Sequence, residues 1–282
     1  MIKVLLTGSK GMLAQAFLKL RPSGWNIMAT DIEELDITQI SGVEKTIRAF
    51  QPGIIINCAA YTRVDDCERE KESCFKINAV GPDNLAFSAH RIGAKLVHFS
   101  TDYVYDGNKK SPYSEDDLPH PINNYGMSKL KGEEEIRKRM DDFLIIRTQW
   151  LFGHGGNHFV KTILKLAEDH DSLKVVNDQI GSPTFTEDMA EATIELIEMA
   201  QKGTFHVVNS GECSWYDFAS MIIKMTGLKT KIDPCLTSEF PRPAKRPAYS
   251  VLSTQKVVSV LGRPLPDWEI GLKYFLTGKR SL

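Results

Sequence analysis

Tyr125 and Lys129 stand four residues apart in Tyr125-Gly126-Met127-Ser128-Lys129. On a helix, positions i and i+4 share a face, so the phenol and the ammonium would point into one site. An unperturbed tyrosine has a pKa of about 10. A neighbouring cation stabilises the phenolate and lowers that value, which makes the phenol a proton donor or acceptor near neutrality. Upstream, Ser100-Thr101-Asp102 closes an apolar strand-like run. Thr101 there would hydrogen-bond a reacting oxygen at the edge of a sheet. The plainer reading of Thr101 and Asp102 is a cap or turn. Tyr-x-x-x-Lys by itself also describes a solvated helix face.

A second constellation sits at the start of the chain, in Thr7-Gly8-Ser9-Lys10-Gly11-Met12-Leu13-Ala14. Gly8 and Gly11 allow a tight turn and a close approach to a pyrophosphate. The N–H groups and dipole of the helix that follows, opening on Met12 and Leu13, would face those phosphates. Asp31, at the end of the second strand-like run, suits the adenosine ribose hydroxyls and favours NAD. Asp36 would face the adenine or cap the next helix. Lys10, inside the loop, would offset a 2′-phosphate and so favour NADP. The cues conflict, and the expected cofactor is NADPH, NADH or both.

These residues need a scaffold that brings strand ends and helix starts together. Residues 2–7, 25–30, 54–56, 94–100 and 143–147 read as strands, and 11–20, 40–50, 72–92 and 125–140 as helices. Such alternation implies a parallel sheet with helices on both faces, joined by right-handed crossovers. After about residue 150 the rhythm breaks. Helices are expected at 157–170, 186–201 and 214–225. A loop with an edge strand is expected at 177–184 and a short strand at 205–208. Residues 234–248, with Pro234, Pro241, Pro243 and Pro247, read as irregular but ordered. The expected fold class is α/β: a doubly wound parallel-sheet Rossmann domain with a smaller α/β substrate-binding domain. Residues 1–150 would form the cofactor-binding domain, with part of 178–208 returning to it. Residues 151–282 would mostly bind substrate.

Composition agrees with a soluble globular chain. Its 282 residues are 42% hydrophobic and 25% charged, enough to bury a core without disulfides. Lysine and arginine number 35 and aspartate and glutamate 36, for a net charge of -1. That balance argues against nucleic-acid binding and a polybasic membrane anchor. Cys58, Cys67, Cys74, Cys213 and Cys235 form no Cys-x-x-Cys pair, and no apolar run reaches the ~20 residues of a membrane span. A cytoplasmic location is expected.

Taken in order along nearly the whole chain, the motifs resemble the extended short-chain dehydrogenase/reductase superfamily, and within it the dTDP-4-dehydrorhamnose reductase family. They are Asn57-Cys58-Ala59-Ala60-Tyr61-Thr62 with Val64-Asp65, Ser100 to Gly107, Tyr125 to Glu133, Arg147-Thr148-Gln149-Trp150-Leu151-Phe152-Gly153, Asp178 to Thr184, and Arg242-Pro243 with Arg246 to Leu252. The pattern is also similar to reductase-like proteins of spore-coat polysaccharide synthesis. Met12 and Ala14 depart from the usual glycine loop, and Gln149 replaces a more usual Ser. The resemblance implies hydride transfer from NAD(P)H to the C4 ketone of dTDP-4-dehydro-L-rhamnose or a close dTDP-4-keto-6-deoxysugar. Tyr125 would donate the proton, Thr101 would bind the same oxygen, and Lys129 would hold the ribose and tune Tyr125. Ala59, Ala60 and Tyr61 would line the cofactor. Asp102, Tyr103 and Trp150 would contact the sugar, Arg246 the diphosphate, and Asn157 and Phe159 the nucleotide. A homodimer and a role for Mg2+ stay open.

Other features read as structural. His154 and His158 lack a third ligand at metal spacing. Glu133-Glu134-Glu135 with Arg137, Lys138 and Arg139 reads as a solvated helix face. Trp215, Phe218 and Trp268 read as helix packing. Two other functions use the same fold: a nucleotide-sugar epimerase or dehydratase, and a non-catalytic cofactor-binding subunit like the β subunit of methionine adenosyltransferase. A dehydratase needs further acid and base groups, and relatives place Glu after the Asp where this chain has Tyr103.

Overall fold

Apolar runs flanked by turn residues become strands here, and amphipathic runs between them become helices. The computed structural model describes residues 1–278. Its first half contains β1 (Ile2–Thr7), α1 (Met12–Leu20), β2 (Trp25–Thr30), α2 (Ile40–Phe50), β3 (Ile54–Asn57), α3 (Lys71–Phe75), α4 (Gly81–Ile92), β4 (Lys95–Thr101), α5 (Asn124–Arg139) and β5 (Phe143–Thr148). The second half adds β6 (Leu151–Phe152), α6 (Phe159–Asp169), β7 (Ser172–Val176), β8 (Ile180–Gly181), β9 (Thr184–Phe185), α7 (Thr186–Glu198), β10 (Gly203–His206), β11 (Cys213–Ser214), α8 (Trp215–Thr226), β12 (Lys231–Cys235), α9 (Gln255–Leu261) and α10 (Trp268–Thr277).

Six strands form one parallel sheet in the order β10-β5-β4-β3-β1-β2. Every residue of β3 and β4 is buried, as expected where helices cover both faces. Period-2 alternation still sorts the side chains. Leu6, Ile56, Val97 and Ile146 pack with Phe17 of α1 and Met189 of α7 on one face. Leu5, Ile55, Leu96 and Ile145 pack with Val43 of α2, Leu85 of α4 and Ile136 of α5 on the other. A third apolar cluster, built on Phe152, Ile163, Phe185, Phe218, Trp268 and Leu272, forms the body of the second half.

Two features depart from the periodicity. The helix expected over 72–92 is split by a π turn, Lys76–Val80, between α3 and α4. The wide turn belongs to Asn78, whose amide accepts the Tyr61 N–H at 2.8 Å and donates to the Tyr61 carbonyl at 3.0 Å and to Ser128 Oγ at 3.0 Å. Interruptions of this kind concentrate at functional sites. β7 and β12 pair in parallel, although neither read as a strand. Pro234 is accommodated because this sheet has only two strands, which leaves an unpaired edge for a residue without an N–H.

The charged face of α5 is not uniformly solvated. Glu133 is fully buried. Arg147 of β5 clamps it with two hydrogen bonds, Nε to Oε1 at 2.9 Å and Nη2 to Oε2 at 2.7 Å. Arg137 adds a third at 2.8 Å. Burial alone would raise the Glu133 carboxyl, but the two guanidinium groups outweigh it and hold the group below its ordinary value. Replacing one partner of such a pair strands the other charge in the interior. Glu133→Gln should therefore lose about 3–5 kcal/mol of stability in urea unfolding. Because the folded carboxyl titrates low, the stabilisation is complete above the unfolded-state value and fades as pH falls through the folded one. The variant's stability should accordingly vary less with acid than the parent's.

Candidate functional site

Doubly wound sheets bind ligands beyond the carboxyl ends of their strands, and both sequence constellations arrive there. Gly8 follows β1 directly with φ 66°. A Cβ at Gly8 would lie 2.6 Å from the backbone nitrogen of Ala59, so only glycine lets the two strand-end loops touch. α1 begins after Gly11 with no side-chain cap, leaving its first N–H groups for a ligand. Gly8, Lys10, Gly11, Asp31, Asp36, Ala59 and Ala60 line one cavity of about 330 Å3. A second cavity, of about 520 Å3, shares Gly11, Cys58 and Ala60 with the first. It is lined by Met12, Leu13, Thr101, Asp102, Tyr103, Tyr125, Lys129, Trp150 and Asn157. The first is a slot with an uncapped helix start, two close-packed loops and an acid at the end of β2. A dinucleotide fits that donor set.

α5, which carries Tyr125 and Lys129, is held against the turn after β4. Asn123 caps α5 by accepting the Gly126 N–H at 2.8 Å. Glu68 accepts the Asn124 N–H and side-chain amide, both at 2.8 Å. A Cβ at Gly126 would sit 2.0 Å from the carbonyl oxygen of Tyr103. That contact places Tyr125 beside Tyr103, with ring centroids 5.8 Å apart and edge-on. Thr101 Oγ1 donates to Asp102 Oδ1 at 3.0 Å and accepts the Tyr103 N–H at 3.2 Å.

The electrostatics reverse one expectation. The Tyr125 phenol is pushed up, not down, first by burial and then by the Asp102 charge, with Thr101 opposing. It therefore keeps its proton at neutral pH. Burial pushes Lys129 down to about 8, with Glu133 opposing, and pushes Asp102 up to about 7. Asp102 Oδ2 is buried with no hydrogen-bond partner.

Other residues expected at the site lie elsewhere. The Tyr61 phenol donates to Glu70 at 2.7 Å and accepts from Arg63 at 2.9 Å, and it lines neither cavity. Arg246 is paired with Asp65 at 2.7 Å, beside Arg242 on the same carboxylate, and also lines neither. Phe159 opens α6 beneath the second cavity, where it packs on Trp215 with centroids 4.5 Å apart. Trp215, expected only to pack a helix, is a wall of that cavity. Its ring stacks on Trp150 with centroids 3.6 Å apart and planes at 12°. Trp150 reaches this stack through a left-handed backbone, φ 48°, a rare and costly state for a bulky residue. Gln149 and His158 line the cavity too. In the sequence Gln149 stands out only as a departure from the family pattern, and the spacing of His158 does not point to this cavity. Among the described residues no cluster of three or more His, Cys, Asp or Glu could hold a metal. No described helix is long and apolar enough to cross a membrane.

Residues 2–280 match the RmlD substrate binding domain family. The spore coat polysaccharide biosynthesis protein SpsK of Bacillus subtilis is 44% identical over 282 residues, covering 100% of this chain and 99% of that protein. The dTDP-4-dehydrorhamnose reductase of Escherichia coli is 37% identical, covering 98% and 97%. The crystal structure of the Bacillus anthracis dTDP-4-dehydrorhamnose reductase in complex with NADP superposes with a TM-score of 0.95 at 40% identity, covering 99% of both chains.

The contact at Gly126 yields a direct test of how α5 is seated. Gly126→Ala places a methyl group against backbone that cannot yield. It should cost about 1–3 kcal/mol in denaturant unfolding, where an alanine in an open helix position would stabilise.

Proposed function

This chain belongs to the RmlD substrate binding domain family, and from that premise we propose that it reduces the C4 ketone of dTDP-4-dehydro-L-rhamnose to dTDP-L-rhamnose with NADPH or NADH. The observation that carries the reading is the convergence of Thr101, Tyr125 and Lys129 on one cavity that continues into the glycine-loop slot. The names of the E. coli and B. anthracis relatives support it. The likeness to SpsK supports a product that feeds polysaccharide assembly.

The nicotinamide cofactor, when bound, supplies the hydride. Gly8, Gly11 and the uncapped start of α1 would hold its pyrophosphate, Asp31 and Asp36 its adenosine end, and Lys129 its nicotinamide ribose. Tyr125 carries the proton that the new alkoxide needs. Its high pKa keeps that proton in place until the ketone accepts it, while Thr101 orients the same oxygen. The Lys129 ammonium steadies the phenolate left behind and sits one helical turn from it. Trp150 and Trp215 offer a flat apolar wall suited to a deoxysugar ring. Asp102, with one carboxylate oxygen unpartnered, would receive a sugar hydroxyl. Arg246 would reach the diphosphate only by leaving Asp65. Residues 1–150 with β10 would thus serve the cofactor, and most of 151–278 would shape the substrate side.

Both cofactors are accommodated on this reading. Asp31 accepts the Lys10 and Ile32 N–H groups at 2.8 and 2.9 Å, which orients it toward ribose hydroxyls. The Lys10 ammonium is paired with Glu33 at 2.8 Å in an exposed contact, which is weak and easily exchanged for a 2′-phosphate. Lys10→Ala should raise KM for NADPH about tenfold, one charged contact's worth, and leave KM for NADH unchanged.

The main test is a spectrophotometric assay of NADPH and NADH oxidation with dTDP-4-dehydro-L-rhamnose, with products identified by NMR. Oxidation should require the sugar nucleotide. Tyr125→Phe should lower kcat by about 10²–10⁴-fold, the usual worth of a positioned acid, with cofactor affinity nearly unchanged. A Phe variant turning over at the parental rate would sink the assignment. Product formation without net cofactor oxidation would point to an epimerase or dehydratase.

A further inference from the structure

A row of polar side chains crosses the sheet near its carboxyl edge. Thr7, Asn57 and His98 lie on β1, β3 and β4, and each is the cross-strand partner of the next. These three and Lys129 are each no more than 2% exposed. Thr7 Oγ1 donates to Asn57 Oδ1 at 2.7 Å, and the Ala59 N–H donates to the same oxygen at 3.2 Å. Asn57 Nδ2 lies 3.0 Å from His98 Nδ1. His98 Nε2 lies 3.3 Å from Lys129 Nζ.

The direction of this chain follows from its first member. A backbone N–H can only donate, so Ala59 settles which end of the Asn57 amide is oxygen. The amide nitrogen also only donates, so His98 Nδ1 must accept. A neutral imidazole that accepts at Nδ1 carries its proton on Nε2. Burial keeps His98 neutral. The Nε2 proton therefore faces Nζ, and only a free amine has a lone pair to receive it.

We propose that His98 is a positioning residue for Lys129, docking the free amine of the lysine against the sheet edge and releasing Nζ toward the cavity when the amine takes a proton. The proposal rests on the reading of Lys129 as the residue that holds the cofactor ribose. The other groups that face Nζ leave this role to His98. Cys58, from the loop after β3, and Cys74 of α3 bear on it through their thiols, and burial holds Cys58 uncharged. Glu133, one turn further along α5, is occupied by Arg147 and Arg137, and Tyr125 lies one turn earlier. Among the described residues, His98 is the hydrogen-bond partner of Nζ.

The test measures NADH affinity by fluorescence titration of the full chain against pH, with no sugar nucleotide present, so it reads the lysine whether or not reductase turnover is found. Affinity should fall above pH of about 8, where Lys129 gives up its proton and can no longer donate to ribose hydroxyls. Lys129→Met should abolish that limb, which assigns it. His98→Phe keeps a planar aromatic ring, slightly larger than imidazole, but has no N–H. It removes the support for the free amine, so the limb should move up by at least about half a pH unit, roughly threefold in the protonation constant. His98→Gln keeps a donor within reach and should leave the limb in place. A His98→Phe limb that coincides with the parent's overturns the proposal, and so does a His98→Gln limb displaced as far as that of Phe. Thermal melts check folding, and His98→Leu reads the same loss if the Phe variant does not fold.

Discussion

A carboxylate with no access to water has to be met by positive charge, and in this protein that requirement decides where α5 sits. Glu133 lies one turn beyond Lys129 and two beyond Tyr125. The bidentate clamp from Arg147 therefore sets the height of all three along the sheet. The clamp extends further. Arg147 Nη1 donates to the Tyr105 hydroxyl at 2.6 Å, and that hydroxyl donates to the Ser114 carbonyl at 2.8 Å. His206, the last residue of β10, lies 3.0 Å from the same hydroxyl. One buried charge thus ties α5 to β5, to β10 and to the long turn after β4. Apolar residues of equal volume could have stabilised the contact as well or better. They could not have specified register, because apolar surfaces slide where a fork of two hydrogen bonds does not.

On the opposite wall, precision comes from strain. Trp150 occupies a backbone state that bulky residues avoid, and the stack with Trp215 and the packing of Phe159 below it hold the ring there. The site is bounded by a helix locked through charge on one side and an indole locked through packing on the other. Between them lies the turn from Thr101 to Tyr103, short enough for Gly126 to rest on its carbonyl. The groups that converge on the cavity therefore stand on rigid elements, which fixes their mutual geometry.

Much of this was legible because it was local. The five strands of the first half show as apolar runs, and Tyr125 with Lys129 shows as an i,i+4 pair after a strand end. The return of 203–206 to the sheet was legible in part, from a short apolar run. Glu133 reads as a solvated helix residue because its local partner, Arg137, does pair with it. The partner that buries it, Arg147, is on a strand and invisible to helical spacing. Trp215 looked like a packing residue, and it is one; only the tertiary fold shows that its other face borders the cavity. β7 and β12 carry no alternation strong enough to announce a strand, and each exists because the other does. Arg246 was placed by its motif alone, and no sequence rule shows that Asp65 meets it first. Long-range pairing of charges is the part that spacing cannot carry.

The position of β10 has a consequence for how the chain is made. It pairs with β5, but some fifty residues of the other half are threaded between them, and α7, which covers one face of the sheet, belongs to that same stretch. On a ribosome, which delivers the chain from its N-terminus, the six-stranded sheet keeps an open edge until residue 206 has emerged, and the face shared by α1 and α7 stays only partly covered until α7 has emerged. By then α6 and the first strands of the other half are already outside the tunnel. The two halves must therefore mature together, and no single cut of the backbone would release either as an intact folding unit.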